Sequence, residues 1–596
     1  MPTSSNAGVD RRPTLHIAAV VVFLVFGSVA GAAEPAQPAD LILTGGRIWT
    51  GLPGASEAMA ETTAVAIAAD RILAVGTAEE VAAHRTAETR MLDLEGRFLA
   101  PGFIDNHTHF NRAGELILGV NLLHVSDSEG LVERVREAQD RLPPGAWIVG
   151  GDWGAYEAWE KGSSGAESHE ERRAFEPHRK LIDHFTRGRN PVLLSKWDRS
   201  AFLANIDALV GSGASCGWDG VECEDGEPTG RLSATAAERV RRAVPEKSMA
   251  QRLAEARVAL KRLRSFGVTG IHDITSAEQL RVFQELRRRG ELTVRVYARP
   301  TLDRWEHLAA LGIRHGFGDE WIKIGGLKGF VDGIMGNSSA RFYEPYLTSG
   351  ERGRWRTMME PPGNMEKLLL GADAAGHWPQ VHAIGDEAID TLLALFEKVE
   401  AINGERDRRL RVIHTQVLRG PEVATKMAEM GVIAEVQPYH AIDDMRWMEE
   451  RIGERSRWAY AFKTLEDAGV LLSFGSDWPG TNASWYPANP MLGIYAAVTR
   501  RTLGGEPAAG WFPEERVSLE TALAAFTVNN AWAAGEEALK GTLEPGKLAD
   551  LVVLDQDPFE LEPSELKDIR VAWTIIGGEV VYSAPSVAQP MWDANP

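Results

Sequence analysis

Residues 98–110 read FLAPGFIDNHTHF. An apolar run closes on His107-Thr108-His109. In a strand, residues i and i+2 project from the same face, so two imidazoles at one strand end can grip one metal ion. Four further segments repeat the arrangement: an apolar run, a metal-capable residue, then a loop rich in Gly, Asp or Asn. LKGFVDG (327–333) offers Lys328, VHAIGD (381–386) His382, RVIHTQ (411–416) His414 and FGSDWP (474–479) Asp477. His382 follows Lys328 by 54 residues, His414 follows His382 by 32, and Asp477 follows His414 by 63. These are the lengths of one strand–helix unit with a long loop, one unit, and two units. In a (β/α)8 barrel the C-terminal ends of all strands face one mouth, so these six residues would converge there.

The intervening stretches support the same architecture. DEAIDTLLALFEKVEAI (386–402) and GPEVATKMAEM (420–430) have helical periodicity. Repeated strand–helix units predict a parallel α/β core over residues 100–535, with a large insertion at about 112–262 made of charged helices and Gly/Trp-rich loops. The two ends differ from the middle. ADLILTGGRIWTG (39–51), TAVAIAADRILAVG (63–76) and VAWTIIGGEVVY (571–582) read as pairs of β-runs about Gly-Gly or Ala-Asp turns. Segments 39–99 and 536–596 are therefore expected to form one small β-domain together.

Residues 1–33 have the layout of a secretory signal: Arg11 and Arg12, an apolar run from Leu15 to Ala30, and small residues allowing cleavage after Ala32 or Ala33. That run is short against the roughly 20 residues needed to span a bilayer. The expected location is periplasmic or secreted, with no stable membrane association after cleavage. The paired arginines weakly resemble a twin-arginine signal. Cys216 and Cys223 are the only cysteines. They allow a short-loop disulfide in an exported protein or two free thiols. Lys and Arg total 64 against 84 Asp and Glu, a net charge of −20. That gives no basic footprint for nucleic acid. The 44% hydrophobic content excludes a disordered chain.

Taken together, PGFIDNHTHF, LKGFVDG, HAIGD, IHTQ, GSDWP and the C-terminal GTLEPGKLADLVVLD (541–555) resemble the metal-dependent amidohydrolases. They are most similar to the branch of YtcJ-like proteins and N-substituted formamide deformylase. The resemblance runs from about residue 39 to 582. It implies an α/β chain: a (β/α)8 TIM-like barrel with a large insertion, plus a small β-sandwich formed by both chain ends. It also implies a divalent metal, zinc by default, in one ion or two, and a small-molecule substrate. His107 and His109 would hold a first ion, His382 and His414 a second, and Asp477 would ligate and accept a proton from the attacking metal-bound water. Lys328, once carboxylated by CO2, would bridge. The competing assignments are a Lys328 ammonium paired with a carboxylate such as Asp332, and Lys323 in place of Lys328. The expected reaction is hydrolysis of an amide, N-substituted formamide or cyclic amide. The same site acting on an ester or carbamate, or in decarboxylation, is the alternative, and an exported binding protein is a more distant one. Homo-oligomerisation stays open.

Four positions depart from the branch's usual residues. Ser338 stands where Arg is expected, Ser200 where His is, Ile413 where Glu is common, and Glu387 where Arg is common. None is a proposed ligand, so they bear on substrate rather than on metal. His272 and His440 end or follow apolar runs and are candidates for supporting the ligands and touching substrate. His84, His124, His184, His307 and His377 lack such context. Trp153, Trp197 and Trp485 would serve either an aromatic pocket or the core.

Overall fold

The computed structural model describes residues 37–123, 125, 127–153, 176–197, 199–480 and 486–585. The signal-like segment 1–33, His124 and Trp485 lie outside the described residues. Among those described, no helix is long and apolar enough to cross a membrane.

Eight strands carry the centre of the fold, labelled here in chain order: β1 (Phe103–Thr108), β2 (Val268–Ile274), β3 (Arg295–Arg299), β4 (Ile322–Ile324 and Leu327–Phe330), β5 (Pro379–Ala383), β6 (Arg411–His414), β7 (Ile433–Val436) and β8 (Leu472–Phe474). Neighbours pair in parallel from β1 to the first part of β4, and from its second part to β8. Two parallel bridges join the halves into a ring: Thr301 with Lys328, and Thr108 with Trp478. The two residues at the break in β4 leave no room for a side chain. A Cβ on Gly325 would sit 2.2 Å from the Tyr297 ring, and one on Gly326 would sit 2.1 Å from Gln380 Nε2.

The flanking helices bury one face each. Asp386–Asn403 places Ala388, Ile389, Leu392, Leu393, Phe396 and Val399 in the main core, the spacing of an amphipathic helix. Pro421–Glu429 begins with proline at its first turn, where the missing N–H costs nothing.

Both chain ends build a β-sandwich. One sheet runs Arg71–Gly76, Ala64–Ala68, Leu41–Thr44, Arg90–Asp93; the other runs Arg47–Ile48, Phe98–Pro101, Leu551–Leu554, Val571–Ile576, Glu579–Ser583. Alternation sorts the side chains. Leu551 and Val553 join Leu41, Leu43, Val65 and Ile67 between the sheets, while Val552 and Leu554 face the barrel core. Residues 39–51 correct the sequence expectation of paired β-runs. Leu41–Thr44 and Arg47–Ile48 lie in different sheets, so Gly45-Gly46 is a crossover and not a hairpin turn. Gly45 has φ +73°, and a Cβ on Gly46 would meet Arg97 O at 2.6 Å. The other two pairs are antiparallel hairpins.

The insertion between β1 and β2 is richer than charged helices and loops. It holds a five-stranded sheet in the order Val221–Glu224, Glu227–Leu232, Phe202–Ala204, Val192–Lys196, Ile148–Trp153, with apolar clusters of its own. Its strands were hidden because they are short and partly polar. Cys216 and Cys223 form a disulfide in it, with Cα atoms 6.0 Å apart.

Candidate metal centre

Each candidate ligand sits at or just past the C-terminal end of a barrel strand. His107 is in β1 and His109 caps the helix Phe110–Leu118 that follows. Lys328 is in the second part of β4, His382 in β5 and His414 at the end of β6, while Asp477 follows β8 by three residues. All six line one cavity of about 530 Å³. His414 and Asp477 have left-handed φ values of 76° and 57°. Such a backbone costs on the order of 1–2 kcal/mol per non-glycine residue and is held here by the surrounding fold.

Ligand atoms of His107, His414 and Asp477 all lie within 4.8 Å of one another. Asp477 Oδ1 is 3.5 Å from His107 Nε2 and 3.0 Å from His109 Nε2. The His382 ring centroid is 4.6 Å from that of His414. Hydrogen bonds set the tautomers. His107 Nδ1 donates to Glu435 Oε1 at 2.9 Å, His414 Nδ1 to Gln437 Oε1 at 2.7 Å, and His382 Nε2 to Gly333 O at 2.8 Å. In each ring the other nitrogen then carries the lone pair. Fixing one ring nitrogen outward so that the other can ligate is how proteins prepare metal-binding histidines.

Charge state agrees with that arrangement. Burial, reinforced by the Lys328 charge, pushes His107 down to about 3, and burial with the neighbouring rings pushes His414 down as well. Both are neutral at pH 7. Burial alone would raise Asp477, but the attraction of a protonated His107 and the hydrogen bond from His109 set the carboxyl well below its usual range, so at pH 7 it is ionised while His107 is neutral. Lys328 is fully buried, and its Nζ has no hydrogen-bond partner. Burial, then Arg299, lowers it to about 7. Asp332 is not its counter-ion: that carboxylate accepts backbone N–H groups of Arg341, Ile384 and Gly385 at 2.8–3.1 Å. Lys323 is occupied elsewhere, with Nζ 2.8 Å from Glu536 Oε1. Neutral imidazoles, an ionised carboxylate and an orphaned buried amine are a donor set that fits a divalent cation.

Sequence reasoning missed the supporting layer. Glu435 is fully buried and accepts from Arg299 at 2.8 Å and Arg411 at 3.1 Å as well as from His107. Its signal was present, a carboxylate inside the apolar run GVIAEVQPY (431–439). Asp105 accepts the backbone N–H of His107 at 3.0 Å and of Ser476 at 2.9 Å, tying β1 to the Asp477 loop. Burial pushes it up to about 6. His272 lies behind the site, its Nδ1 3.1 Å from Arg411. His440 lines the cavity, 3.9 Å from Asp477 Oδ2, with its ring 4.0 Å from Tyr486. His84, His184, His307 and His377 do not line it, Trp197 does, and Trp153 belongs to the insertion core. Of the four departures, Ser338 lines the cavity, Ile413 is buried, Glu387 pairs with Arg341 and Arg352 at 2.8 and 2.7 Å, and Ser200 borders a hollow in the insertion.

Residues 90–582 match the profile described as "Amidohydrolase family". The chain is 32% identical over 564 residues to Protein LONG AFTER FAR-RED 3 of Arabidopsis thaliana, covering 91% of this chain and 92% of that protein. It is 29% identical to putative amidohydrolase YtcJ of Bacillus subtilis (84% and 92% covered) and 26% identical to N-substituted formamide deformylase of Arthrobacter pascens (87% and 94%). Among solved structures, an uncharacterized metal-dependent hydrolase from Pyrococcus furiosus superposes with a TM-score of 0.67 at 26% identity, over 87% of this chain and 100% of that one. The fold, the converging donor set and these likenesses agree: the chain belongs to the amidohydrolase family and is a metal-dependent amidohydrolase acting on C–N bonds.

Proposed function

We propose that the protein hydrolyses a small non-peptide amide, an N-substituted formamide or a cyclic amide, in the periplasm or outside the cell. The observation that carries the reaction is the set of histidines whose free lone pairs face an ionised Asp477 beside the unpartnered Lys328. His107, His109, His382, His414 and Asp477 would hold the metal, zinc by expectation, and Lys328 would join them as its carbamate. When bound, such an ion polarises the substrate carbonyl and brings the pKa of its water from 15.7 to about 7. Asp477 accepts the proton released by the attacking water and passes it to the leaving nitrogen, a role that needs an ionised carboxylate at the cavity wall. Glu435 holds the His107 ring with its Nε2 lone pair turned to Asp477. Lys328, lowered to about 7, offers an unprotonated amine at neutral pH, the form that adds to CO2. Export is supported by the signal-like residues 1–33 and by the Cys216–Cys223 disulfide.

The test is elemental analysis of protein purified without chelator, native mass spectrometry for the 44 Da of CO2 (about 44 Da) on the lysine, and a screen of amides and formamides. About one or two metals per chain and turnover of at least one amide class are expected. Metal-loaded protein that turns over esters or carbamates but no amide would overturn the substrate bond. Absence of metal and of activity after adding zinc or manganese would overturn the hydrolase.

A further inference from the structure

One wall of the cavity comes from a single segment, the loop from Val331 to Arg356 that leaves β4. Its two ends are stitched together. Arg356 N–H donates to Val331 O at 2.8 Å, and Asp332 bridges to Trp355. Arg356 Nε donates to Asp332 O at 3.2 Å. The guanidinium is thus fixed to the strand end that carries Lys328. It lines the cavity, and among the described residues its Nη1 and Nη2 have no carboxylate within ion-pairing distance and no hydrogen-bond acceptor. Ser338 and Thr348, from the same loop, also line the cavity, and among the described residues neither hydroxyl has a hydrogen-bond partner.

The other charged groups at this mouth are committed. Arg112 donates to Gly480 O at 2.6 Å and Asp152 at 3.2 Å. Arg451 donates to Met335 O and lies 4.1 Å over the Trp447 ring. Asp443 is held by Arg446 at 2.9 Å, and Asp444 by Gln416 at 2.7 Å and by Tyr460. Glu450 also has a partner within the chain. Arg356 therefore presents both Nη groups, exposed and uncommitted, to a cavity that Ser338, Thr348 and the candidate lysine also line. A guanidinium fork matches a carboxylate in two parallel hydrogen bonds. Phe330, Ile334 and Met335 line the same cavity and would cover the hydrocarbon of a ligand.

We propose that the 331–356 wall is a carboxylate subsite, and that the substrate is a small amide that also bears a carboxylate. This rests on the hydrolase reading for the reaction, though the subsite can be tested without turnover. The probes are matched pairs differing in one group: N-formylphenylalanine against N-formylphenylalaninamide, and N-benzoylglycine against N-benzoylglycinamide. Binding to metal-loaded enzyme is measured by calorimetry and hydrolysis by kcat/KM, for the natural protein, Arg356→Ala and Arg356→Lys. The acid of at least one pair is expected to bind at least tenfold more tightly than its amide. Arg356→Ala should abolish that difference with metal content and melting temperature unchanged, and Arg356→Lys should restore part of it. Equal binding of acid and amide, no binding of either, or a preference that survives Arg356→Ala would overturn the subsite. A carboxylate preference in binding without hydrolysis of any amide would leave the subsite standing and remove the hydrolase reading. Hydrolysis without the preference would do the reverse.

Discussion

Lys323 and Lys328 lie on the same interrupted strand, and the two ends of that strand treat a buried lysine in opposite ways. Lys323 reaches Glu536 at 2.8 Å, and Lys540 approaches the other oxygen of that carboxylate at 2.7 Å. Burial would raise Glu536, but the two ammonium groups hold it down to about 2. Nearby, Arg295 grips Asp550 through Nε and Nη2 at 2.5 and 2.9 Å, joining β3 to the β-sandwich. At the mouth, Lys328 is fully buried without any hydrogen bond, among histidines and the ionised Asp477. A buried charge is costly unless paired. The paired end holds the fold together. The unpaired end carries a cost that a lost proton or a covalent change such as carbamate formation relieves, and this is where chemistry is expected.

Four experiments would break or sharpen that contrast. The largest effect is expected from Asp477→Asn, which should lower kcat by about 10²–10⁴-fold, with Lys328→Ala losing bound metal as well as activity. Steady-state kinetics with elemental analysis checks both, and full activity in either variant would remove that residue from the site. Next, adding zinc to the stripped natural protein at a hundred times its Kd should stabilise it by about 3 kcal/mol. A calorimetric melt should show the shift, and Lys328→Ala should shift less. Third, Glu435→Gln keeps the shape of the side chain but loses the charge facing His107, Arg299 and Arg411. It should weaken metal binding by about 10–100-fold, read by competition with a chromophoric chelator. Unchanged affinity would make Glu435 a purely structural charge. The smallest effect belongs to Lys323→Met. It should cost about 1–2 kcal/mol of stability, since Lys540 still serves Glu536, while metal content and kcat stay unchanged. Loss of metal there would erase the distinction between the two lysines.

The residues of the proposed centre were legible because each ends an apolar run, and a parallel barrel brings all such ends to one mouth. His107, His382 and His414 are in or at the ends of their strands as that grammar requires, and the choice of Lys328 over Lys323 agrees with the cavity lining. The hairpins at 64–76 and 571–583 were legible from their turn residues. The Gly45-Gly46 crossover was not, because a local turn signal says that the chain bends and not which sheet receives the next strand. The insertion's sheet was equally hidden, since its short strands are stabilised by pairing that no local periodicity records.

The sequence by itself determined the barrel and the terminal β-layers and proposed the six residues of the candidate centre, because hydrophobic period and strand-end position are local properties of the chain. Only the tertiary structure decided which lysine is left unpaired, that Glu435 orients His107 while clasped by two arginines, that Cys216 and Cys223 are joined, and that Arg356 reaches the cavity with its Nη groups uncommitted. Each of those depends on distances between residues far apart in the chain. Electrostatic cost is set by what surrounds a charge in space, which no stretch of sequence contains.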